Sequence, residues 1–362
     1  MYRIPLSPAW QLRHVRAPVR VNRTTRARRT LLVFVASFAA SSATLAVAAE
    51  AYPRVRDPVS GDKISRLAGR VAAAPDRRVV LFIGSSRTGF AFHALRAEGR
   101  LPNALCFNLG LPAAGPICEL VTLNRALAAG IKPALVLVEI LPPMLQTLPA
   151  GPREEVFLTG DRLSAAEVRT VVRFGYSSDD VALQWAKSRL APWWCYRFPI
   201  WGRIAPSWLS YLVRGDWGRS TDAGGWNASI RDAVTSEERQ LGEDETRAEY
   251  AATLKVLTPG GGAVDAVREI QATCRRRGIA LRFVLLPESR MFRSLYGPGV
   301  EIRLQTFLSG LDTPTIDARR WQPDEAFLDG HHLMRPGAAS FTDRLTVEVI
   351  DPVLEPLGRP RD

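Results

Sequence analysis

Histidine and cysteine are scarce in this chain, with four of each in 362 residues. No two cysteines stand in CxxC spacing, which argues against a zinc knuckle or a thioredoxin-like redox pair. Cys106, Cys118, Cys195 and Cys274 read either as small buried apolar residues or, outside the cytoplasm, as disulfide partners. Acidic residues are missing from the first 30 positions, where Arg3, Arg13, Arg16, Arg20, Arg23, Arg26, Arg28 and Arg29 stand. Eight of the twelve net positive charges therefore belong to a tail, and only +4 remains for all that follows. The basic balance marks that tail and argues against a nucleic-acid-binding face.

Charge of either sign is missing from Leu31 to Ala49, LLVFVASFAASSATLAVAA. At ~1.5 Å per residue a helix of this length is just long enough to cross the hydrocarbon core of a bilayer. The arginine-rich side stays cytoplasmic by the positive-inside rule, and everything after Glu50 then lies outside the cytoplasm. Ala46-Val47-Ala48 also fits a signal-peptidase site, so secretion after cleavage is the rival expectation. The organisation expected is a basic cytoplasmic tail over 1–30, a membrane or signal-anchor helix over 31–49, a juxtamembrane segment over 50–77, and one main domain over 78–362.

Within that domain, short apolar runs alternate with helix-like stretches. Arg78–Ile83, Ala104–Asn108, Leu135–Ile140, Ala280–Leu286 and Pro314–Asp317 read as strands. Continuous apolar strands separated by helices are the pattern of a parallel sheet covered on both faces, so the expectation is a three-layer α/β domain. The span 145–262 is too long for a simple crossover and reads as a mainly helical insertion. Ser164-Ala165-Ala166-Glu167 and Thr235-Ser236-Glu237-Glu238 fit the capping box there. The insertion holds seven of the nine tryptophans, Trp185, Trp193, Trp194, Trp201, Trp208, Trp217 and Trp226. These form the insertion's own core, or a surface for sugar rings or the membrane interface.

Two segments carry residues suited to chemistry. The first strand runs into Gly84-Ser85-Ser86-Arg87-Thr88, and a serine just past the carboxyl end of a parallel strand is where α/β enzymes present a nucleophile. A helix N-cap is the plainer role for a Gly-Ser-Ser turn. Near the other end stands Phe327-Leu328-Asp329-Gly330-His331-His332-Leu333, followed by Met334-Arg335-Pro336-Gly337-Ala338. Asp329 and His332 are three apart, so one turn brings the carboxylate to one imidazole nitrogen and leaves the other free as a base. His331 is offset and points elsewhere. A zinc site at the adjacent histidines has no evident third ligand, so no metal is expected. Glu288-Ser289-Arg290 reads as a polar loop after the fourth strand, His93 as a packing residue, and Asn227-Ala228-Ser229 as a short sequon match.

Gly-x-Ser after the first strand, Asn108-x-Gly110 after the second, and Asp329-x-x-His332 before a Gly-Ala helix together resemble the SGNH/GDSL hydrolase superfamily. The likeness covers residues 78–116, 133–143 and 278–345. It is nearest to the exported, membrane-anchored bacterial branch that includes proteins similar to the D-alanyl transfer protein of teichoic-acid modification and to exopolysaccharide acetyltransferases. The resemblance implies a flavodoxin-like fold with Ser86 as nucleophile, His332 as base then acid, and Asp329 as its orienting carboxylate. It implies an oxyanion hole from the Ser86 amide and a second-block amide, Gly110 or alternatively Ala113. The family's third donor is an asparagine, but here the third block is Glu139-Ile140-Leu141-Pro142-Pro143. The function implied is a serine esterase or O-acyltransferase without a cofactor, acting on an envelope or exported polysaccharide. Arg87, Trp193 and Trp194 would serve as substrate-binding residues, and a membrane acyl-transfer protein as partner. The alternative is a catalytically degenerate relative serving in binding or assembly.

Overall fold

A computed structural model describes residues 23–146, 154, 158–210, 221–227 and 230–355. The chain divides into two compact units, 1–44 and 45–362. In the first, one helix starts at Arg23 and runs on to Ala51, so helical hydrogen bonding takes in arginines of the tail as well as the uncharged stretch. Two of the polar residues that dilute the stretch bond back to the helix's own carbonyls. Ser41 Oγ donates to Phe38 O and Thr44 Oγ1 to Ala40 O, each at 2.9 Å. Leu31, Leu32, Val33, Phe34, Val35 and Phe38 are all exposed, on a helix long and apolar enough to cross a bilayer.

The second unit is built on five parallel strands: β1 (Arg78–Ile83), β2 (Ala104–Asn108), β3 (Pro133–Glu139), β4 (Ala280–Leu285) and β5 (Thr315–Asp317). Their order across the sheet is β2-β1-β3-β4-β5, the flavodoxin-like arrangement. Val80 pairs with Cys106 on one side and Leu135 on the other, and Val136 pairs with Leu281. Because alternate side chains point to opposite faces, near-continuous apolar strands require a cover on each. Leu81, Ile83, Phe107, Val136, Val138 and Phe283 pack with helices Pro58–Ala73, Pro116–Ala128 and Gly261–Arg276. Val80, Phe82, Cys106, Leu135, Leu137 and Val284 pack with the Ser86–Arg100 region and helix Arg335–Leu345. The expected three-layer α/β architecture is the observed one.

The segment after the apolar stretch is no spacer. Helix Pro58–Ala73 buries Ile64 and Leu67 against the sheet, and its charged neighbours are paired inside the unit. Asp57 caps that helix and accepts from Arg125 at 2.5 Å, while Glu167 accepts from Arg125 at 2.7 Å and Arg56 at 2.9 Å. Arg125 and Arg56 together hold the Glu167 carboxyl down to about 2 against the opposing effect of burial.

The insertion is helical, and both capping boxes form. Its tryptophans do not make a core, which corrects one expectation. Among the described ones only Trp226 is buried, donating its ring N–H to Phe90 O at 2.7 Å, and Trp185 is partly so. Trp193, Trp194, Trp201 and Trp208 are exposed, and Trp217 lies outside the described residues. The helices that carry the exposed four are too short to give each ring an inward face. All four cysteines are unpaired, and burial pushes the Cys274 thiol up to about 12.

Candidate active site

β1 ends at Ile83, and the chain turns sharply at Gly84 into helix Ser86–Ala91. Any side chain at Gly84 would collide with Thr88 Oγ1 and Glu139 Oε2. The two serines then divide the work. Ser85 is the N-cap, its Oγ accepting from Arg87 N at 3.1 Å, which leaves the Ser86 hydroxyl unspent. Behind the turn Glu139, the last residue of β3, accepts from Ser85 N at 2.7 Å, Ser85 Oγ at 2.9 Å and Thr88 Oγ1 at 2.8 Å. Glu139 is buried, and the sequence marked it only as a departure where Gly-x-Asn-Asp was expected.

Residues 246 positions away complete the arrangement. Ser86 Oγ lies 2.8 Å from His332 Nε2, and His332 Nδ1 lies 2.7 Å from Asp329 Oδ2. An ionised carboxylate can only accept, so Nδ1 carries the proton and Nε2 is free to take one from Ser86. The other Asp329 oxygen accepts from His332 N at 2.8 Å and His331 N at 3.2 Å, closing the turn on itself. Burial would raise the Asp329 carboxyl. The His332 charge and hydrogen bond outweigh it and hold the group well below the usual carboxylate range. Phe90 walls the imidazole at 5.0 Å between ring centres.

His331 is not a second base. Thr246 Oγ1 donates to Asp329 O at 2.8 Å, so the 3.0 Å contact with His331 Nδ1 must be donated by the imidazole. Burial, and then the His332 charge, push His331 well below its ordinary value and keep it neutral. Asp329, His331 and His332 are also the group of possible metal ligands among the described residues. Both Nδ1 atoms are already engaged in the bonds just given.

Gly110 does not supply the expected second oxyanion amide, because its N–H donates to Asn108 Oδ1 at 2.9 Å. It is glycine for another reason: a Cβ there would meet Gly89 N at 2.4 Å and Ser85 O at 2.8 Å. Asn108 in turn donates to Thr88 O and Phe92 O, tying β2 to the serine helix. The alternative, Ala113, is the one non-glycine residue with positive φ (52°) among the described residues. It lines a cavity of about 310 Å³ with Ser86, Leu141 and His332. The amides of Ser86 and Ala113 donate to no other group among the described residues. Leu141 stands in the wall where the third-block asparagine was sought.

Arg87 borders the cavity of about 310 Å³, and there its side chain is held as a strut rather than reaching into solvent. Its guanidinium donates to Leu286 O at 3.1 Å and Pro287 O at 2.8 Å, beyond the end of β4. It lies 3.8 Å from Glu139 and 3.9 Å from Glu288 and is 2% exposed. Burial pushes the Glu288 carboxyl up to about 7 despite that cation. Trp193 and Trp194 line neither cavity at Ser86, because the short helices that carry them turn both rings to the surface.

A larger cavity of about 420 Å³ meets Ser86 and His332 on their other flank, between Pro58, Val59, Asp62, Phe90, Pro112 and Asn227. Lys63 also borders it, a residue sequence reading passed over. Its buried Nζ donates to Gly110 O at 2.8 Å, Gly225 O at 2.9 Å and Asn108 O at 3.2 Å. Three carbonyls from two distant loops leave no local motif. Asn227 N donates to Gly89 O, so the sequon asparagine belongs to the cavity wall. His93 pairs with Asp222 at 3.3 Å and stacks on Trp226, as a packing residue should.

No family model matches this chain, and no curated protein does. Solved structures do. One neighbour is a chain from Bacteroides fragilis whose own acylhydrolase assignment is provisional, at TM-score 0.36 and 11% identity, covering 80% of this chain and 96% of its own. Another is a GDSL-like lipase from Bacteroides thetaiotaomicron, at TM-score 0.36 and 9% identity, covering 81% of this chain and 98% of its own. At that similarity the chemistry rests on the geometry of this chain alone.

Proposed function

We propose that this protein is a serine-dependent acyl esterase or O-acyltransferase, with Ser86 as nucleophile, His332 as general base and acid, and Asp329 as the carboxylate that orients it. The observation that carries the reading is the unbroken relay from Ser86 Oγ to His332 at 2.8 Å and from His332 to Asp329 at 2.7 Å. In the first half-reaction Ser86 Oγ attacks the ester carbonyl while Nε2 takes its proton. That proton passes to the departing alkoxide, and an ester on Ser86 remains. In the second half-reaction His332 takes a proton from the acceptor, water or a sugar hydroxyl. The new nucleophile breaks the Ser86 ester, and the proton returns to Ser86. The negative oxygen formed in each half is received by the Ser86 and Ala113 amides.

The acceptor we favour is an envelope or exported polysaccharide, with the apolar helix as a membrane anchor that leaves the second unit outside the cytoplasm. The arginine-rich tail beside the uncharged stretch supports that orientation. A second reading, a non-catalytic member of the same fold acting in assembly, is favoured by Leu141. A side-chain donor missing from an oxyanion hole costs ~10²–10³ in rate. Labelling by a serine-reactive fluorophosphonate separates the two. The full chain should react and Ser86→Ala should not, and labelling that survives the substitution refutes the assignment. An acetyl-ester assay with and without oligosaccharide then distinguishes transfer from hydrolysis.

A further inference from the structure

From Leu190 to Trp208 the chain reads LAPWWCYRFPIWGRIAPSW, which contains two arginines and no acid. It folds as the short helix Pro192–Cys195, helix Arg197–Ile204 and a single turn at Pro206–Trp208. Leu190, Trp194, Ile204 and Trp208 are 85%, 68%, 70% and 75% exposed, and Trp193, Phe198 and Trp201 are exposed beside them. A run of this size that the described residues leave uncovered is far beyond the scattered apolar residues of an ordinary surface. One of the two arginines is arranged with the rings. Arg197 lies 3.9 Å from the Trp194 ring centre and 4.3 Å from that of Phe198, and Trp201 stacks on Trp208 at 5.2 Å.

This face is attached where the uncharged stretch ends. Glu50, the first charge after Ala49, accepts from Arg189 at 2.9 Å and from the Trp185 ring N–H at 3.1 Å. Arg203 donates to Arg54 O and to Asp62 Oδ1, the latter at 3.2 Å. Asp62, with Pro58 and Val59, also lines the larger cavity at Ser86. The helix that bears the aromatic rings thus touches the rim of that cavity through one ion pair.

We propose that the 190–208 face lies in the interface of a lipid bilayer and presents the Ser86 cavity to amphiphilic esters held in that membrane. Tryptophan and arginine combine an apolar body with a polar or charged tip, which is what the boundary between headgroups and acyl chains accommodates. The absence of acid suits anionic headgroups. A soluble sugar ligand would leave the continuity with residues 50–62 without purpose, and a second copy would bring the arginines of the run against their own kind with no acid in it to answer them. The delivery half of the proposal rests on the acyl-transfer reading, while the bilayer half does not.

The full chain is reconstituted into phosphatidylglycerol-containing vesicles whose acyl chains carry bromine just below the headgroups. Trp10→Phe removes the tail reporter. Emission should fall roughly twofold against unbrominated vesicles, and most of that difference should vanish when Trp193, Trp194, Trp201 and Trp208 are also changed to phenylalanine. Quenching that is unchanged by those four substitutions overturns the proposal. So does an unquenched face accompanied by a doubled particle mass, which would assign it to a second copy, or one that answers only to oligosaccharide. Changing the same four residues to serine should slow turnover of a vesicle-borne ester roughly tenfold and leave a short soluble ester unaffected. Equal slowing of both esters overturns delivery, with circular dichroism confirming that the fold is intact. Lipid quenching without turnover of either ester would sink the acyl-transfer reading and leave the bilayer contact standing.

Discussion

Two turns meet at the site, and each is held by a carboxylate in a different way. Asp329 braces its own turn, accepting from the amides of His331 and His332 and from the His332 ring, all within three residues. Glu139 braces the serine turn from another strand, 54 positions from Ser85. The first arrangement is local and only 14% exposed at the cavity wall, and the second is long-range and wholly buried. The difference separates a carboxylate that orients an imidazole from one that braces a turn, and substitutions at the two should fail in different ways.

The largest effect on rate belongs to Asp329→Asn. The amide can take the same place but leaves His332 with the wrong tautomer, so ester turnover should fall about 10⁴-fold with little change in melting temperature. Steady-state kinetics beside a thermal melt would show it, and a loss under tenfold would remove Asp329 from the relay. Glu139→Ala should invert the pattern. It strands Ser85 N, two hydroxyls and the Arg87 charge, and breaking a buried pair this way costs about 3–5 kcal/mol. Urea unfolding should register that loss, and a fully stable variant would deny Glu139 its bracing role.

The smallest effect is on pH dependence. Burial pushes the Glu288 carboxyl up to about 7 from its ordinary 4.5, so the folded state holds the proton more tightly. Its contribution to stability is complete below about 4.5 and is lost as pH rises through 7. The melting temperature should therefore decline from pH 5 to 7.5, and Glu288→Gln should flatten that slope. An unchanged slope would mean that Glu288 stays ionised behind Arg87.

The same contrast governs what could be read in advance. The Asp329–His332 turn is legible because both partners lie within one turn of chain. The strands are legible because burial on both faces demands unbroken apolar runs. Ser85 and Ser86 look alike in sequence, and only the accepted Arg87 amide tells cap from nucleophile. Gly110 was the natural oxyanion donor until Asn108 Oδ1 proved to occupy its N–H, and the left-handed backbone at Ala113 has no residue-type signature. Lys63, Arg87 and Glu139 act across distant loops and strands, where spacing carries no information. The tryptophans of the insertion misled because composition records how many rings there are and not which way short helices turn them.

The brace between Glu50 and Pro58 has a mechanical consequence. A cavity wall joined to its neighbour by slack chain can drift, over a range set by the length of free chain between them. Here that length is taken up: Glu50 is clamped by Arg189, Arg56 reaches back to Ala49 O, and Pro58 is already in the wall of the cavity. With no slack between them, the Pro58 wall of the cavity is held at a fixed distance from the Glu50–Arg189 clamp within the second unit.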